Sequence, residues 1–315
     1  MGMARTHRPL HCVGGDDHAG GDRRDGAGAM TDDPFQRHRG LLFTVAYELL
    51  GSVADAEDVV QDTWLRWSAD DRSDVLEPKA YLVRIATRLA LNRLRALRTR
   101  RETYVGPWLP EPLVTGPDAA GGIELAEDVS MAMLVVLETL TPVERAVFVL
   151  REVFGFAHTE IASALDRSEA SVRQVAHRAR EHVQARRPRF DTDPEQRRAV
   201  TERFLRAASE GNLAELMEVL APDVVMVNDT DGKARAGRRP IIGREKVARL
   251  LTGVVVRSEL AGYRFEYAEL NGEPGVIGWL DGRLDVAGLI ETRDGQVARL
   301  LAFRNPDRLT GLRRR

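Results

Sequence analysis

Arginine side chains crowd one stretch of the sequence that has helical periodicity. Residues 80–101 contain seven arginines and no acidic residue. A helix face that meets only solvent normally mixes both signs of charge, because opposite charges three or four residues apart stabilise it. The chain as a whole has a net charge of −2. Cationic charge concentrated on one helix of a near-neutral protein indicates a polyanionic partner, so we favour nucleic acid over a solvated face.

A second polar set follows a short turn between predicted helices at 158–165 and 168–187. This spacing is typical of a helix-turn-helix, whose second helix enters the major groove. Ser168 is a natural N-cap for that helix. Arg and Gln make bidentate contacts to bases, whereas Ser and Arg suit phosphates. The side chains expected to project towards DNA are Ser168, Ser171, Arg173, Gln174, His177, Arg178 and Arg180.

Acidic residues crowd the first half of another predicted helix, which begins after Ser52. They are Asp55, Glu57, Asp58 and Asp62. Carboxylates near a helix N-terminus are favourable in themselves, and this accounts for Asp55 to Asp58 better than for Asp62. The same face is poorly suited to DNA and well suited to a basic protein surface.

Carboxylates and tyrosines in the last third of the chain are candidates for acid–base chemistry. They are Asp229, Asp281, Asp285, Tyr263 and Tyr267. No histidine follows His182, so any proton transfer there would fall to these groups. We favour strand-end carboxylates and core tyrosines over a catalytic site, and we expect no catalytic residue, cofactor or metal.

The elements that position these residues are helices in the first two thirds of the chain. We predict helices over about 35–50, 54–67, 79–101 and 131–140, and a capped helix at Thr141-Pro142. Trp64 and Trp67 are expected on the core face. Residues 102–127 are rich in Gly and Pro, which predicts a linker without helix or sheet.

The pattern of apolar and polar residues changes after Pro188 and Pro194. Two helices, about 195–209 and 212–220, precede runs that alternate apolar and polar residues. We predict strands at 223–228, 263–270, 276–280, 284–291 and 297–303, with a hairpin turn at Asp294-Gly295. This order indicates an α+β domain whose antiparallel sheet follows its helices.

The composition limits the classes of protein to which this chain can belong. The chain has 315 residues, 43% of them hydrophobic, and one cysteine. It therefore has enough apolar residues for real cores, and disulfides do not hold it together. We expect no secretory leader, no membrane span, a cytoplasmic location, and a disordered tail over 1–32.

Several motifs, taken in order, resemble bacterial RNA polymerase sigma factors. Ser-Val-Ala-Asp-Ala-Glu-Asp-Val-Val-Gln-Asp-Thr-Trp (52–64) and Pro-Lys-Ala-Tyr-Leu-Val-Arg-Ile-Ala (78–86) resemble region 2. Leu-Thr-Pro-Val-Glu-Arg (140–145) and the 160–180 segment resemble region 4. A chain with regions 2 and 4 alone resembles the extracytoplasmic-function group. Trp108-Leu109-Pro110-Glu111-Pro112 and Asn305-Pro306-Asp307-Arg308-Leu309 resemble signatures of a subgroup with a fused SnoaL-like domain.

The resemblance implies two all-α domains followed by a cone-shaped α+β SnoaL-like domain. Its expected organisation is a tail at 1–32, region 2 at 33–101, a linker at 102–127, region 4 at 128–190 and the SnoaL-like domain at 195–315. The protein would direct core RNA polymerase to promoters, and the last domain would modulate this activity in place of a separate anti-sigma factor.

The resemblance also implies roles for individual residues. Those expected to bind core polymerase are Asp55, Asp58, Gln61 and Asp62. Those expected at the −10 element are Arg84, Arg88, Arg93, Arg95 and Arg98, with the 70–78 loop capturing an unstacked base. Those expected in regulatory contacts are Trp108, Leu109, Pro110, Asp231, Gly232, Asn305, Pro306 and Asp307. The 168–180 set would read the −35 element.

Two alternatives remain open at this point. One is a ligand-responsive helix-turn-helix regulator, which would leave the helices at 35–101 without a role. The other is a C-terminal domain with cyclase- or isomerase-like activity, since related cone folds use a buried Asp as a base. A small ligand held there without any reaction is also compatible with the sequence.

Overall fold

The computed structural model describes most of the chain after residue 32. The described residues are 33–69, 72, 74–101, 103–115, 130–186, 193–234, 237–256 and 262–313. The predicted disordered tail, the second half of the predicted linker and part of the 70–78 loop lie outside them.

The first helical unit consists of α1 (Pro34–Leu50), α2 (Val53–Ser68) and α3 (Pro78–Arg101). The Asp33 carboxylate accepts from the Phe35 amide at 2.9 Å, and α1 ends at Gly51, whose φ is 65°. Ser52 then caps α2. Local capping therefore determines these boundaries, as the sequence predicted.

The two tryptophans of α2 differ in burial, which corrects one expectation. Trp67 is buried, but Trp64 is 37% exposed and lies beside the Phe35 ring at 4.9 Å. Thr63 and Trp67 point into the core, and one residue along an α-helix turns the side chain by about 100°. Trp64 therefore lies at the edge of the core.

The second helical unit follows residue 129. Its elements are α4 (Met131–Leu137), α5 (Pro142–Phe148), a π-helical turn (Val149–Val153), α6 (His158–Leu165) and α7 (Glu169–Arg186). The predicted 131–140 helix is too long. Thr141 is extended and forms a capping box with Glu144, so the chain must leave helical geometry before Pro142.

The C-terminal unit combines three helices with a sheet. Its helices are α8 (Pro194–Glu210), α9 (Leu213–Val219) and α10 (Arg244–Val256). Its strands are β2 (Leu220–Asp229), β3 (Ile241–Ile242), β4 (Tyr263–Leu270), β5 (Glu273–Leu280), β6 (Arg283–Arg293) and β7 (Gln296–Phe303). Two short 3₁₀ helices, Pro306–Arg308 and Thr310–Arg313, end the described chain. The sequence analysis missed α10, whose Val247 and Ala248 are fully buried.

With β1 (Val114–Thr115), the described residues form one seven-stranded sheet in the order β1-β4-β5-β6-β7-β2-β3. The expected antiparallel sheet is wrong in one respect, because β2 runs parallel to β7. The expectation of a linker without sheet is also wrong. Strand β1 (Val114–Thr115) lies within the predicted linker and pairs with Leu270 and Glu269 of β4.

Two apolar cores lie on opposite faces of this sheet. The larger core joins all three units, with buried residues such as Leu82 of α3, Leu134 of α4 and Leu301 of β7. The smaller core packs α8–α10 against the other face, where Leu300 is buried. Successive strand residues point to opposite faces, which explains why Leu300 and Leu301 belong to different cores. Within the described residues, no helix is long and apolar enough to cross a membrane.

Candidate nucleic-acid interface and the docked linker

The acidic residues of α2 lie together on the surface of the first unit. Asp58, Gln61 and Asp62 are exposed, and Asp55 is half-buried. Arg93 of α3 reaches two of them. Its Nε donates to Oδ1 of Asp55 at 2.5 Å and its Nη2 donates to Oδ2 of Asp58 at 2.6 Å. Burial disfavours the charged guanidinium, yet the two carboxylates raise the pKa of Arg93.

The remaining predicted −10 arginines make different contacts along α3. Arg84 lies over the Tyr81 ring at 5.0 Å, and Arg95 donates to Asn92 at 3.0 Å. Arg88 and Arg98 instead reach the second unit. Arg88 donates to the end of α6, and Arg98 donates to the Leu140 carbonyl at 2.6 Å. The structure therefore places the five arginines on one helix in three different environments.

Helices α6 and α7 form a helix-turn-helix with an exposed polar face. The turn contains Asp166 in a left-handed conformation, and the Ser168 hydroxyl accepts from the Ser171 amide at 3.2 Å. Apolar residues such as Val172 and Val175 bury one side of α7. On the other side, Arg173, Gln174, His177, Arg178 and Arg180 are exposed and Ser171 is half-buried.

Nearby carboxylates partly neutralise the positive charge of this face. Arg173 pairs with Glu169, and His177 lies 3.5 Å from Glu181 within α7. Arg180 pairs with Glu152 at 3.2 Å. Because these pairs are exposed, they are weak and exchange readily with other anions.

The predicted linker docks on the C-terminal unit through the buried carboxylate of Asp229. Tyr104 donates its hydroxyl to Asp229, and the Leu109 amide donates to it at 3.0 Å. The Arg308 guanidinium lies 3.4 Å away. Burial raises the pKa of Asp229, and Arg308 opposes that shift. An ionised carboxylate in such a position requires this full set of donors.

Arg308 also connects the linker to the first unit. Its guanidinium stacks 3.7 Å from the Trp108 ring and donates to the Leu109 carbonyl. Its Nη2 lies 3.4 Å from the Gly51 carbonyl at the end of α1. Pro110 is buried close to Gly51. Three parts of the chain thus meet around one cation.

Asn271 forms a second junction of the same three parts. It donates to the Tyr47 hydroxyl at 2.9 Å and accepts from the Leu113 amide at 3.0 Å. Tyr47 in turn donates to the Glu111 carbonyl at 2.6 Å. The Glu111 carboxylate accepts from the Val53 amide at 2.7 Å, and burial raises its pKa.

The other expected regulatory residues lie at the rim of this junction. Asp231 accepts from the Val105 amide at 3.2 Å, and Lys233 bridges Asp231 and Asp307. Asn305 donates to Tyr104 at 2.9 Å. Gly232 and Pro306 shape the two turns that carry these residues. Each expected regulatory residue therefore lies at or beside the docked linker.

Comparison with known proteins identifies the family. The chain matches Sigma-70 region 2 over residues 34–100 and Sigma-70, region 4 over residues 130–183. ECF RNA polymerase sigma factor SigJ of Mycobacterium tuberculosis is 40% identical over 296 residues, which cover 90% of this chain and 94% of SigJ. The chain belongs to the extracytoplasmic-function sigma factors.

The similarity to SigJ extends over the C-terminal unit. Its crystal structure matches this sigma factor with a TM-score of 0.72 at 38% identity, covering 88% of this chain and 97% of that one. A probable ECF sigma factor, SigI of the same species, is 35% identical over 193 residues, which cover 60% of this chain and 67% of SigI. The expected family and the expected fold class, two helical units followed by an α+β unit, are confirmed. As a sigma factor, the protein directs core RNA polymerase to promoters.

The acid–base candidates of this sigma factor do not converge on one cavity. A cavity of about 450 Å³ lies between α8, α10 and the sheet, lined largely by apolar side chains such as Phe204, Leu251 and Leu300. Of the five candidates only Tyr267 lines it. Asp229 is engaged by the linker, and Asp285 accepts from Tyr263 and Arg304. Partial burial, together with the bond to Asp285, raises the pKa of the half-buried Tyr263 to about 12. Among the described residues, no group of His, Cys, Asp and Glu has the geometry of a metal site.

Sequence reasoning missed the residues that join the units. Tyr47, Tyr104, Asn271 and Arg308 carry most of the junction, yet successive members are 37 or more residues apart in the chain. Two weak signals were available. Tyr104 is an aromatic residue in a loop close to Trp108, and Arg308 is the fourth residue of the signature at 305–309.

Proposed function

We propose that this sigma factor contacts promoter DNA through α3 and α7 and core polymerase through the acidic face of α2, while its C-terminal unit restrains the linker between the two sigma regions. The proposal rests mainly on the buried Asp229 cluster. Tyr104, Leu109 and Arg308 converge there, so the first half of the linker is fixed to the C-terminal unit. A linker fixed in this way limits the separations that regions 2 and 4 adopt on DNA.

The proposed DNA contacts follow from exposure and charge. Arg173, Gln174 and Arg178 project from the second helix of the helix-turn-helix, where base edges are read. Arg84 lies over Tyr81 and Arg95 donates to Asn92, so within the described residues these two cations have partners on α3 itself. Asp58, Gln61 and Asp62 offer an acidic surface to a basic partner.

Run-off transcription with purified core polymerase on a candidate promoter tests these roles. We expect Arg173→Glu and Arg95→Glu each to reduce specific initiation by more than tenfold. Arg95 is a better choice than Arg93, since a change at Arg93 also breaks its pairs with Asp55 and Asp58. Arg249→Glu on α10 is the matched control, since Arg249 is about as exposed as Arg173, also pairs with a glutamate four residues before it, and belongs to the C-terminal unit. Equal activity of all three variants would refute the assignment.

We assign a binding role without a reaction to the C-terminal unit, and we place the protein in the cytoplasm with its polymerase. The 450 Å³ cavity favours an apolar small molecule as a second partner. Titration with the fluorescent probe 1-anilinonaphthalene-8-sulfonate tests this, with Ala302→Phe expected to fill the cavity and abolish the signal. Equal probe binding by the folded variant would exclude the cavity as the site.

A further inference from the structure

Arg88 of α3 holds the end of the first helix of the helix-turn-helix. Its Nε donates to the Ala164 carbonyl at 2.8 Å, and its Nη2 donates to the Ser163 carbonyl at 3.1 Å. The same Nη2 pairs with the Asp166 carboxylate at 2.7 Å. The last carbonyls of a helix lack partners within the helix and carry partial negative charge, so a cation there satisfies both needs.

Two further cations of α3 contact the second unit. Arg98 donates to the Leu140 carbonyl at 2.6 Å, and the Lys79 ammonium lies 5.5 Å from the Phe156 ring centroid. These residues span most of the length of α3. Three cations of α3, Lys79, Arg88 and Arg98, therefore contact region 4 in this arrangement.

We propose that Arg88 is a switch residue, with a guanidinium that either caps α6 or binds promoter DNA but cannot do both. The Nε and Nη2 donors form one of the edges through which Arg makes bidentate contacts. In the closed arrangement the carbonyls of 163 and 164 and the Asp166 carboxylate occupy that edge. Binding of α3 to DNA then requires region 4 to separate from it. This inference rests on the proposed contact of α3 with promoter DNA.

The exposure of the Arg88–Asp166 ion pair favours a contact that forms and breaks reversibly. The side chains of Arg88 and Asp166 are 41% and 79% exposed. An exposed ion pair is weak and is screened by salt, so a polyanion competes with it effectively. A buried pair in the same place would lock the two regions together.

Asp166→Asn tests the switch without changing any proposed DNA contact. Asn keeps the left-handed backbone that Asp166 adopts, with φ of 52°, and removes only the charge. Domain separation is measured by energy transfer between dyes at Ser68→Cys and Gln184→Cys in a Cys12→Ser full-length chain. DNA affinity is measured by anisotropy with a short labelled duplex of mixed sequence. We expect Asp166→Asn to lower energy transfer and to tighten DNA binding about threefold.

Further variants separate the switch from simple charge effects. Glu181→Gln removes a carboxylate from α7 that lies outside the Arg88 contact, and it should leave energy transfer unchanged. Arg88→Ala should open the molecule and weaken DNA binding.

Each of the following results would refute the proposed role of Arg88 or the function on which it rests. Unchanged energy transfer in Asp166→Asn would show that the Arg88 contact with α6 does not hold the two regions together. A loss of energy transfer without tighter DNA binding would show that this contact does not compete with DNA. An affinity gain no larger than that of Glu181→Gln would show the same. If no variant binds DNA, the proposed function fails, while energy transfer in the free protein still reports on the Arg88 contact.

Discussion

Buried charged groups have the largest individual effects on stability in this sigma factor. Asp229 is 1% exposed, and its partners come from the linker and from the C-terminal 3₁₀ helix. Such a group stabilises the folded state only while every donor remains in place. The loss of one partner therefore costs more than the loss of an exposed pair such as Arg198–Glu202.

Asp229→Ala should lower the free energy of unfolding by about 3 kcal/mol, because it leaves the buried Arg308 cation without its carboxylate. Urea unfolding measures this change. Asp231→Asn is the control, since Asp231 also binds the linker but lies at its rim, and Asn tolerates its left-handed backbone with φ of 48°; it should cost less than about 1 kcal/mol. Equal effects of the two variants would show that burial of Asp229 has no special importance.

Glu291 should make stability depend on pH. Burial raises its pKa to about 7, although Arg299 opposes the shift at 2.5 Å. The folded protein then binds a proton more tightly than the unfolded chain does. Stability from this group is therefore present below the unfolded pKa and lost as pH rises towards the folded one.

The measurement compares unfolding of the wild type with that of Glu291→Gln from pH 4 to pH 8. The free energy of the wild type should fall relative to the variant by roughly 3 kcal/mol between about pH 4.5 and 7. A difference that stays constant with pH would contradict the raised pKa.

At the scale of secondary-structure elements, local sequence signals are sufficient to predict helix starts. They are not sufficient to predict which strands pair when those strands are far apart in the chain. Asp33, Ser52 and Thr141 cap helices through contacts within three residues, so the sequence predicts those helix starts well. The parallel pairing of β2 with β7 joins segments about 75 residues apart, and no turn signal specifies it. Helix α10 was overlooked although Val247, Leu251 and Val254 have helical spacing.

The candidate site likewise contains features that the local sequence predicts and contacts that it does not. The exposed face of α7 follows from helical periodicity, whereas the contact of Arg88 with α6 depends on the packing of two separate units. The polar types of Asp231 and Asn305 are visible in the sequence, but their partners Val105 and Tyr104 are not.

Pairing of β1 with β4 should depend on Asn271, whose φ is 52° and whose side chain binds the Leu113 amide and Tyr47. Asn271→Gly keeps the backbone conformation and removes both bonds. Hydrogen exchange at Leu113 should accelerate about tenfold, as the loss of one buried bond predicts.

Asp281→Gly is the control for this change. Asp281 has φ of 49° in the β5–β6 turn and is exposed, so the substitution has the same backbone effect without touching the linker. Leu113 exchange should remain unchanged in that variant. Similar acceleration in both would attribute the effect to backbone freedom and not to the Asn271 side chain.

At the scale of the whole molecule, the shared core couples the three units. Leu301→Ala and Leu300→Ala remove the same atoms from opposite faces of β7, and each should cost about 2–5 kcal/mol. Hydrogen exchange distinguishes them. Only Leu301→Ala should also reduce protection in α1 and the linker, because only that core includes Tyr47 and Leu109. Identical protection patterns would show that the cores are not independent.

The junction around Arg308 also bears on how this protein is made. Leu109 and Arg308 are 199 residues apart in the chain yet bonded in the structure. At about 5–20 residues per second, synthesis needs roughly 10–40 s to cover that interval. During that time both sigma regions emerge from the ribosome before the unit that holds their linker exists. Each newly made molecule therefore passes through a period in which its linker is unrestrained, and that period lasts until Arg308 has been made and the C-terminal unit has folded around the linker.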